Sequence, residues 1–295
     1  MLRLDTCESI VQTHRLREFQ ILGALQGQLP VPTPYWIDVD GTWLGYPGLI
    51  YEFCQGVSRP PQNGQISGPQ QGYGEYYRKL LAPQFVNRLA DLALASWDES
   101  LLTAFDIPRP ASNEAALQGV NWWQRVWEED RIKPVPLMTA TAEWLRQNAP
   151  VTDRISILHG DYRSGNFLFD LESGDITALL DWELVRFGDR HEDLAYGLNP
   201  LYYTWSPEGV KLCGGFLPRE EYLARYEARS GLKVDLARLE YYEIFTYWKS
   251  VVITLASSAR CVVGRKTHQD ILVGMSYMIA PTLFQLLCNA MRGKY

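Results

Sequence analysis

The chain has 295 residues, 46% of them hydrophobic and 21% charged, which suffices for a sizeable core in one or two domains. A formal net charge of −6 and a pI near 5.4 argue against non-specific nucleic-acid binding and agree with a cationic or neutral small partner. No apolar run reaches the ~18 residues that span a bilayer, and the opening residues carry an early Asp5 and no apolar core, so a cytoplasmic protein without a membrane partner is expected.

The first expected element is a helix over residues 7–26, where Ile10, Val11, Leu16, Phe19, Leu22 and Leu25 fit a helical stripe before Gly27 and Pro30 stop it. Residues 35–39 and 46–53 read as two strands with a hairpin turn at Asp40-Gly41. Residues 58–74, rich in Pro, Gly, Gln and Ser, read as a loop and as the clearest boundary in the chain. Helices follow over 75–96, 114–130 and 135–148. Short strands are expected at 156–158, 167–170 and 176–180, and residues 188–295 read as helices rich in Tyr and Trp. No internal repeat is visible. The five cysteines (Cys7, Cys54, Cys213, Cys261 and Cys288) are scattered without a CxxC pair, and read as reduced and structural.

Three polar residues interrupt these short strands. Asp161 follows the apolar run Ser156–Leu158 and a His-Gly turn. Asn166 opens a second apolar run, and Asp181 ends a third. A lone Asp at any of these places is most often a turn former or a strand end. The combination suits phosphoryl transfer: one carboxylate to accept the proton of an attacking hydroxyl, and an amide oxygen with a second carboxylate to hold Mg²⁺. A hairpin through Glu172-Ser173-Gly174-Asp175 would bring positions 166 and 181 together. His159 reads as a packed, hydrogen-bonded support for the loop rather than a base. Arg163 reads equally as a solvated cation and as a charge that neutralises the transferring phosphoryl group.

The segments His159-Gly160-Asp161, Asn166, Asp181-Trp182-Glu183 and Gly188-Asp189-Arg190-His191-Glu192-Asp193-Leu194-Ala195 resemble the aminoglycoside phosphotransferase and choline kinase superfamily, relatives of protein kinases. Arg190 stands where that family usually has Pro. The form HGDYR-x-GN is similar to a bacterial branch that includes phosphotransferase domains related to those fused to acyl-CoA dehydrogenases. The resemblance implies an α+β, bilobal, protein-kinase-like fold. Residues 1–57 would form a partial N-lobe with nucleotide-binding strands, helix and hinge, and residues 58–295 a larger, mainly helical C-lobe. It implies ATP or GTP with Mg²⁺, Asp161 and Arg163 as catalytic residues, and Asn166 and Asp181 as metal ligands. Upstream, Leu2-Arg3-Leu4 looks like the family's third strand, with Arg3 on the phosphates. Glu18 would pair with Arg3 from the following helix. The stretch Ile50–Gly56 looks like the hinge, with Tyr51 near the gatekeeper position and Glu52, Phe53 and Cys54 beside the purine.

The sequence begins on that third strand, without the family's two earlier strands and phosphate-covering loop; a start placed too late is the favoured reading, a nucleotide site without a lid the alternative, and Arg3 is expected to be poorly held in the chain as it stands. The expected partner is a small hydroxyl-bearing acceptor, cationic or neutral. Candidate contacts are aromatic residues such as Trp122, Trp123, Tyr202 and Trp248. The acids Glu128, Glu129, Asp130, Glu240 and Glu243 could hold an amine, although a solvated helix face is their simpler reading. The competing reading is a catalytically impaired, kinase-like binding module. A protein kinase fits less well, because Asp181-Trp182-Glu183 stands where a DFG triplet would be.

Overall fold

The computed structural model describes residues 1–5, 9–61, 72–264 and 270–294. Cys7, the start of the expected 7–26 helix and the middle of the 58–74 loop lie outside the described residues.

The first part of the chain is a three-stranded antiparallel sheet with one helix. Strand β1 (Leu2–Leu4) lies on an edge, β3 (Gly48–Tyr51) in the centre and β2 (Pro34–Asp38) on the other side. In register, Arg3 faces Leu49. Helix α1 spans Arg15–Ala24, much shorter than the apolar stripe predicts. Its buried face is Arg15, Glu18, Ile21 and Leu22, so two of the inward positions are charged and serve ion pairs rather than the core. The residue before it, His14, is extended, and Asp5 holds Arg15 at 2.6 Å, which fixes the start of the helix there. The β2–β3 connection is also longer than an Asp40-Gly41 turn. Asp38, at the end of β2, accepts from the N–H groups of Trp43 and Leu44, both at 2.8 Å, and so organises residues 39–47 into a wider loop.

Residues 52–57 lead into the helical part, where Val57 bridges Phe169. Helices α2 (Gly74–Leu94), α3 (Glu114–Asp130) and α4 (Pro136–Gln147) fall close to the expected ranges. Two small antiparallel ribbons follow. Strands β5 (Phe167–Phe169) and β6 (Ile176–Leu179) form the expected hairpin. Strand β4 (Ser156–Leu158) pairs instead with β7 (Arg186–Gly188), inside a segment where the strand pattern is too short to read. Helix α5 (His191–Gly197) is wholly buried.

A two-residue ribbon, β8 (Thr204–Trp205) with β9 (Lys211–Leu212), interrupts the expected run of C-terminal helices, which are α6 (Arg219–Ser230), α7 (Leu236–Val251), α8 (Ser258–Gly264) and α9 (Asp270–Ala290). Between α7 and α8 one turn, Val252–Ser257, is a π-helix. The core beneath the ribbons is aromatic. Tyr73 stacks on Phe216 with centroids 4.9 Å apart, and Phe85 meets Tyr162 at 4.6 Å. The Tyr162 hydroxyl donates to the Phe85 carbonyl at 2.6 Å, which anchors the chain immediately after Asp161.

Candidate active site

The loop from His159 to Asn166 is held from below. Asp193, at the start of α5, accepts from the N–H groups of His159 (2.6 Å) and Gly160 (2.9 Å). Burial pushes the Asp193 pKa up, against the pull of His159 and these two bonds. Gly160 has φ +80°, and a Cβ there would lie 2.4 Å from the Leu184 carbonyl oxygen, so the turn demands glycine. Lys249 of α7, itself 2% exposed, donates to the Gly160 carbonyl at 2.6 Å. His159 uses both ring nitrogens structurally. Nδ1 accepts from the Asp161 N–H at 3.3 Å, which assigns the proton to Nε2, 2.8 Å from the Leu180 carbonyl. With Trp182 packed against its ring at 4.5 Å, His159 has no free nitrogen for a substrate.

Asp161 is thereby fixed at the mouth of β4. The Asn166 Nδ2 donates to the Asp161 Oδ2 at 2.6 Å and to its carbonyl at 2.9 Å. Arg163 Nε lies 3.2 Å from both Asp161 carboxylate oxygens, and its guanidinium sits 5.7 Å from the Tyr202 ring centre. Across the hairpin, the Leu180 N–H donates to the Asn166 carbonyl at 2.8 Å, which puts Asp181 next to Asn166 in the order of the ladder. Asp181 has φ 67° and ψ 55°, a left-handed conformation uncommon for a residue with a side chain.

The structure brings Asp181 together with the first strand. Arg3 donates to Glu18 Oε1 (2.9 Å), to Asp181 Oδ1 (2.8 Å) and to Glu183 Oε2 (2.6 Å). The expectation that Arg3 is poorly held therefore fails: β-pairing fixes its backbone and three carboxylates its side chain. Sequence reasoning missed Arg15, which takes the other Glu18 oxygen at 2.6 Å. It also missed Glu183 as a member of this cluster. Burial, and next the Asp181 charge, push Glu183 up to about 7, while Arg3 acts in the opposite direction. The expected hinge residues follow directly on the central strand β3. Glu52 is committed to Thr33, whose N–H and hydroxyl it accepts at 3.1 and 2.8 Å. Among the described residues the backbone groups of Phe53 and Cys54 make no hydrogen bond, which leaves an edge of donors and acceptors.

The donor set suits a hard cation. The Asn166 amide nitrogen is spent on Asp161, so its Oδ1 is left over, and Asp181 keeps one oxygen beyond the one that Arg3 takes. Among the described residues no three His, Cys, Asp or Glu side chains gather into a self-sufficient metal cage. A cation here would rely on two protein oxygens together with a ligand's own.

Beside this site opens a cavity of about 560 Å³ between the start of α1, helix α3 and residues 183–187, with Trp122 and Trp123 in its wall. The other expected aromatic contacts divide: Trp248 belongs to the buried core, and Tyr202 is 3.2 Å from Tyr196 near Asp161. The five acids considered for an amine all face cations. Glu129 pairs with Arg125 (2.7 Å), Asp130 with Arg260 (3.0 Å), Glu240 with Lys294 (2.8 Å), Glu128 with Arg131 and Glu243 with Arg219.

Residues 10–242 match the sequence pattern of the phosphotransferase enzyme family. The chain belongs to that family. Among curated proteins, this phosphotransferase-family chain is 26% identical over 262 residues to acyl-CoA dehydrogenase family member 10 of Mus musculus, which covers 84% of the chain and 23% of the relative. It is 26% identical over 266 residues to acyl-CoA dehydrogenase family member 11 of Pongo abelii, covering 86% and 32%. The chain thus spans only about a quarter to a third of these relatives.

Among solved structures, a Ralstonia eutropha JMP134 protein provisionally assigned as an aminoglycoside phosphotransferase superposes with a TM-score of 0.68 at 21% identity, covering 93% of this chain and 82% of that one. A thermostable mutant aminoglycoside phosphotransferase, in ternary complex with ADP and hygromycin B, superposes with a TM-score of 0.59 at 17% identity, covering 99% and 85%. The fold is the bilobal, protein-kinase-like one. Among the described residues no helix is long and apolar enough to cross a membrane.

Proposed function

We propose that the chain is a small-molecule kinase that moves the γ-phosphoryl group of ATP or GTP to a hydroxyl group. Residues 1–57 would grip the nucleotide, and residues 58–295 would carry the catalytic loop and the acceptor. The observation that carries this reading is the Asn166 side chain, which braces Asp161 with its nitrogen and keeps its oxygen for another partner, while its backbone carbonyl is bonded to the residue before Asp181.

Asp161 takes the proton of the acceptor hydroxyl as that oxygen bonds to the γ-phosphorus. The bond from the γ-phosphorus to the β,γ-bridging oxygen breaks, and the nucleoside diphosphate leaves. Arg163, on both Asp161 oxygens, aims the carboxylate and adds positive charge beside the reacting phosphoryl group. Arg3, held by Glu18, reaches the nucleotide phosphates, and the Phe53–Cys54 backbone meets the base. Asn166 and Asp181 are the residues that would hold Mg²⁺, which neutralises phosphate charge when bound.

The test is nucleoside diphosphate formation from Mg²⁺–ATP and Mg²⁺–GTP across a panel of hydroxyl-bearing small molecules. Acceptor-dependent formation by the wild-type chain is expected. Tight nucleotide binding with no turnover on any acceptor would favour the competing reading, a kinase-like binding module.

A further inference from the structure

The wall of the cavity beside the catalytic loop holds four cations, Arg17, Arg125, Arg186 and Lys249, against three acids, Asp106, Glu183 and Glu192. Two of the three acids are matched, and the third, Asp106, accepts, among the described residues, only from Gln118 at 3.5 Å and acts with its charge on Arg17. Glu183 is bonded to Arg3 and Glu192 is paired with Arg186. Among the basic groups, Arg125 is satisfied by Glu129 and by Gln12. Arg17 remains, and so does Lys249, which shares Glu192 with Arg186. Arg17 spends only its Nε, on the Ala104 carbonyl at 2.9 Å, and among the described residues it forms no ion pair. Its guanidinium lies 5.5 Å from the Phe105 ring centre and 6.0 Å from Trp122, so the charge is presented along an aromatic wall. Lys249 gives one bond to Gly160, with the nearest Glu192 oxygen at 4.0 Å, and its ammonium lies 5.5 Å from Trp123. Burial lowers the pKa of both groups, against the opposing charges of Asp106 on Arg17 and of Glu192, Asp161 and Asp193 on Lys249.

The cavity is also joined to the reacting centre. Leu184 lines it and packs on Gly160, while Lys249 both lines it and holds the Gly160 carbonyl, one residue before Asp161. Its size is that of a drug-sized small-molecule site. Indole and phenyl walls favour an apolar body, and an excess of cations over acids in the wall favours an anion.

We infer that this cavity is the acceptor site, and that the acceptor is an amphipathic alcohol with an apolar chain along Trp122 and Trp123 and an anionic head group selected by Arg17. The assignment as acceptor site rests on the kinase reading above. The charge preference does not, because it is a property of binding.

Three probes with one medium-length carbon chain and one hydroxyl group separate the possibilities: a carboxylate, its methyl ester, and the corresponding amine. Binding is followed by quenching of tryptophan fluorescence and by calorimetry, and phosphorylation by ADP formation. The carboxylate should bind roughly tenfold or more tightly than the amine. R17Q should erase that ratio, and R17K should keep most of it. Equal or tighter binding of the ester or amine by the wild-type chain would overturn the anionic class. A ratio unchanged in a folded R17Q protein would remove Arg17 from the selection. ADP formation with the amine but not the carboxylate would overturn this inference and leave the kinase reading intact. Failure to bind Mg²⁺–nucleotide, measured with no acceptor present, would count against the kinase reading alone.

Discussion

Asp161 acts through the groups that hold it. Asn166 and Arg163 hold its carboxylate and the His159 ring its backbone N–H, so in the proposed reaction the acceptor hydroxyl would meet a base that is already positioned. Asp181 differs, since it has a left-handed backbone and shares Arg3 with two other acids. Asn tolerates the same backbone conformation, so D181N should fold. It should bind Mg²⁺–nucleotide at least about tenfold more weakly, with a smaller effect when Mg²⁺ is left out. Calorimetric titration with and without the metal checks this, and equal affinities would remove Asp181 from the clamp. Gly160 offers a purely steric test. G160A places a methyl group against the Leu184 carbonyl in a conformation that L-residues avoid, so a loss of about 2 kcal/mol or more is expected in urea unfolding.

The β5–β6 hairpin and the β4 loop were legible in the sequence because an apolar run, a turn and an isolated polar residue repeat there within a short span. Their register pairs Phe167 with Leu179, so Asn166 and Asp181 both lie just beyond the paired end of the hairpin. The start of helix α1 was not legible. Its inward positions 15 and 18 are charged, so the stripe of Ile10 and Val11 pointed to a start too early. The residues that brace the loop from a distance were also hidden. Asp193 stands in a recognisable segment, but Lys249 shows only as a lone cation in the apolar stretch of α7, a weak signal until its contact with Gly160 is seen.

Asp153 ties elements together in a way that pH can report. It accepts from Arg238 of α7 (2.5 Å) and from Arg190 (3.4 Å), just before α5. Burial would raise its pKa, but the Arg238 bond and the two guanidinium charges outweigh that and hold it at about 2. A carboxyl depressed in the folded state stabilises above its unfolded pKa of ~3.9, and that contribution is lost as pH falls toward 2. The stability gap between wild type and D153N should therefore be largest near neutral pH and close between about pH 4 and 2. A gap that does not vary with pH over this range in chemical denaturation would contradict the assignment.

At the scale of the molecule, the sheet and α1 supply the cations and the hinge edge, and the helical part supplies the base, the hard oxygens and the cavity. The two meet where Arg3 reaches Asp181 and Glu183. This division is why the proposed reaction rests on one short stretch, while the proposed acceptor chemistry needed the packing of α1, α3 and α7 around one space. The central claim is that Asp161 transfers the acceptor's proton. Single-turnover phosphoryl transfer, compared between the wild-type chain and D161A at matched nucleotide occupancy, tests it most directly. The account predicts that D161A binds Mg²⁺–nucleotide like the wild type and transfers the phosphoryl group about a hundredfold to ten-thousandfold more slowly. Transfer by D161A at the wild-type rate would contradict it.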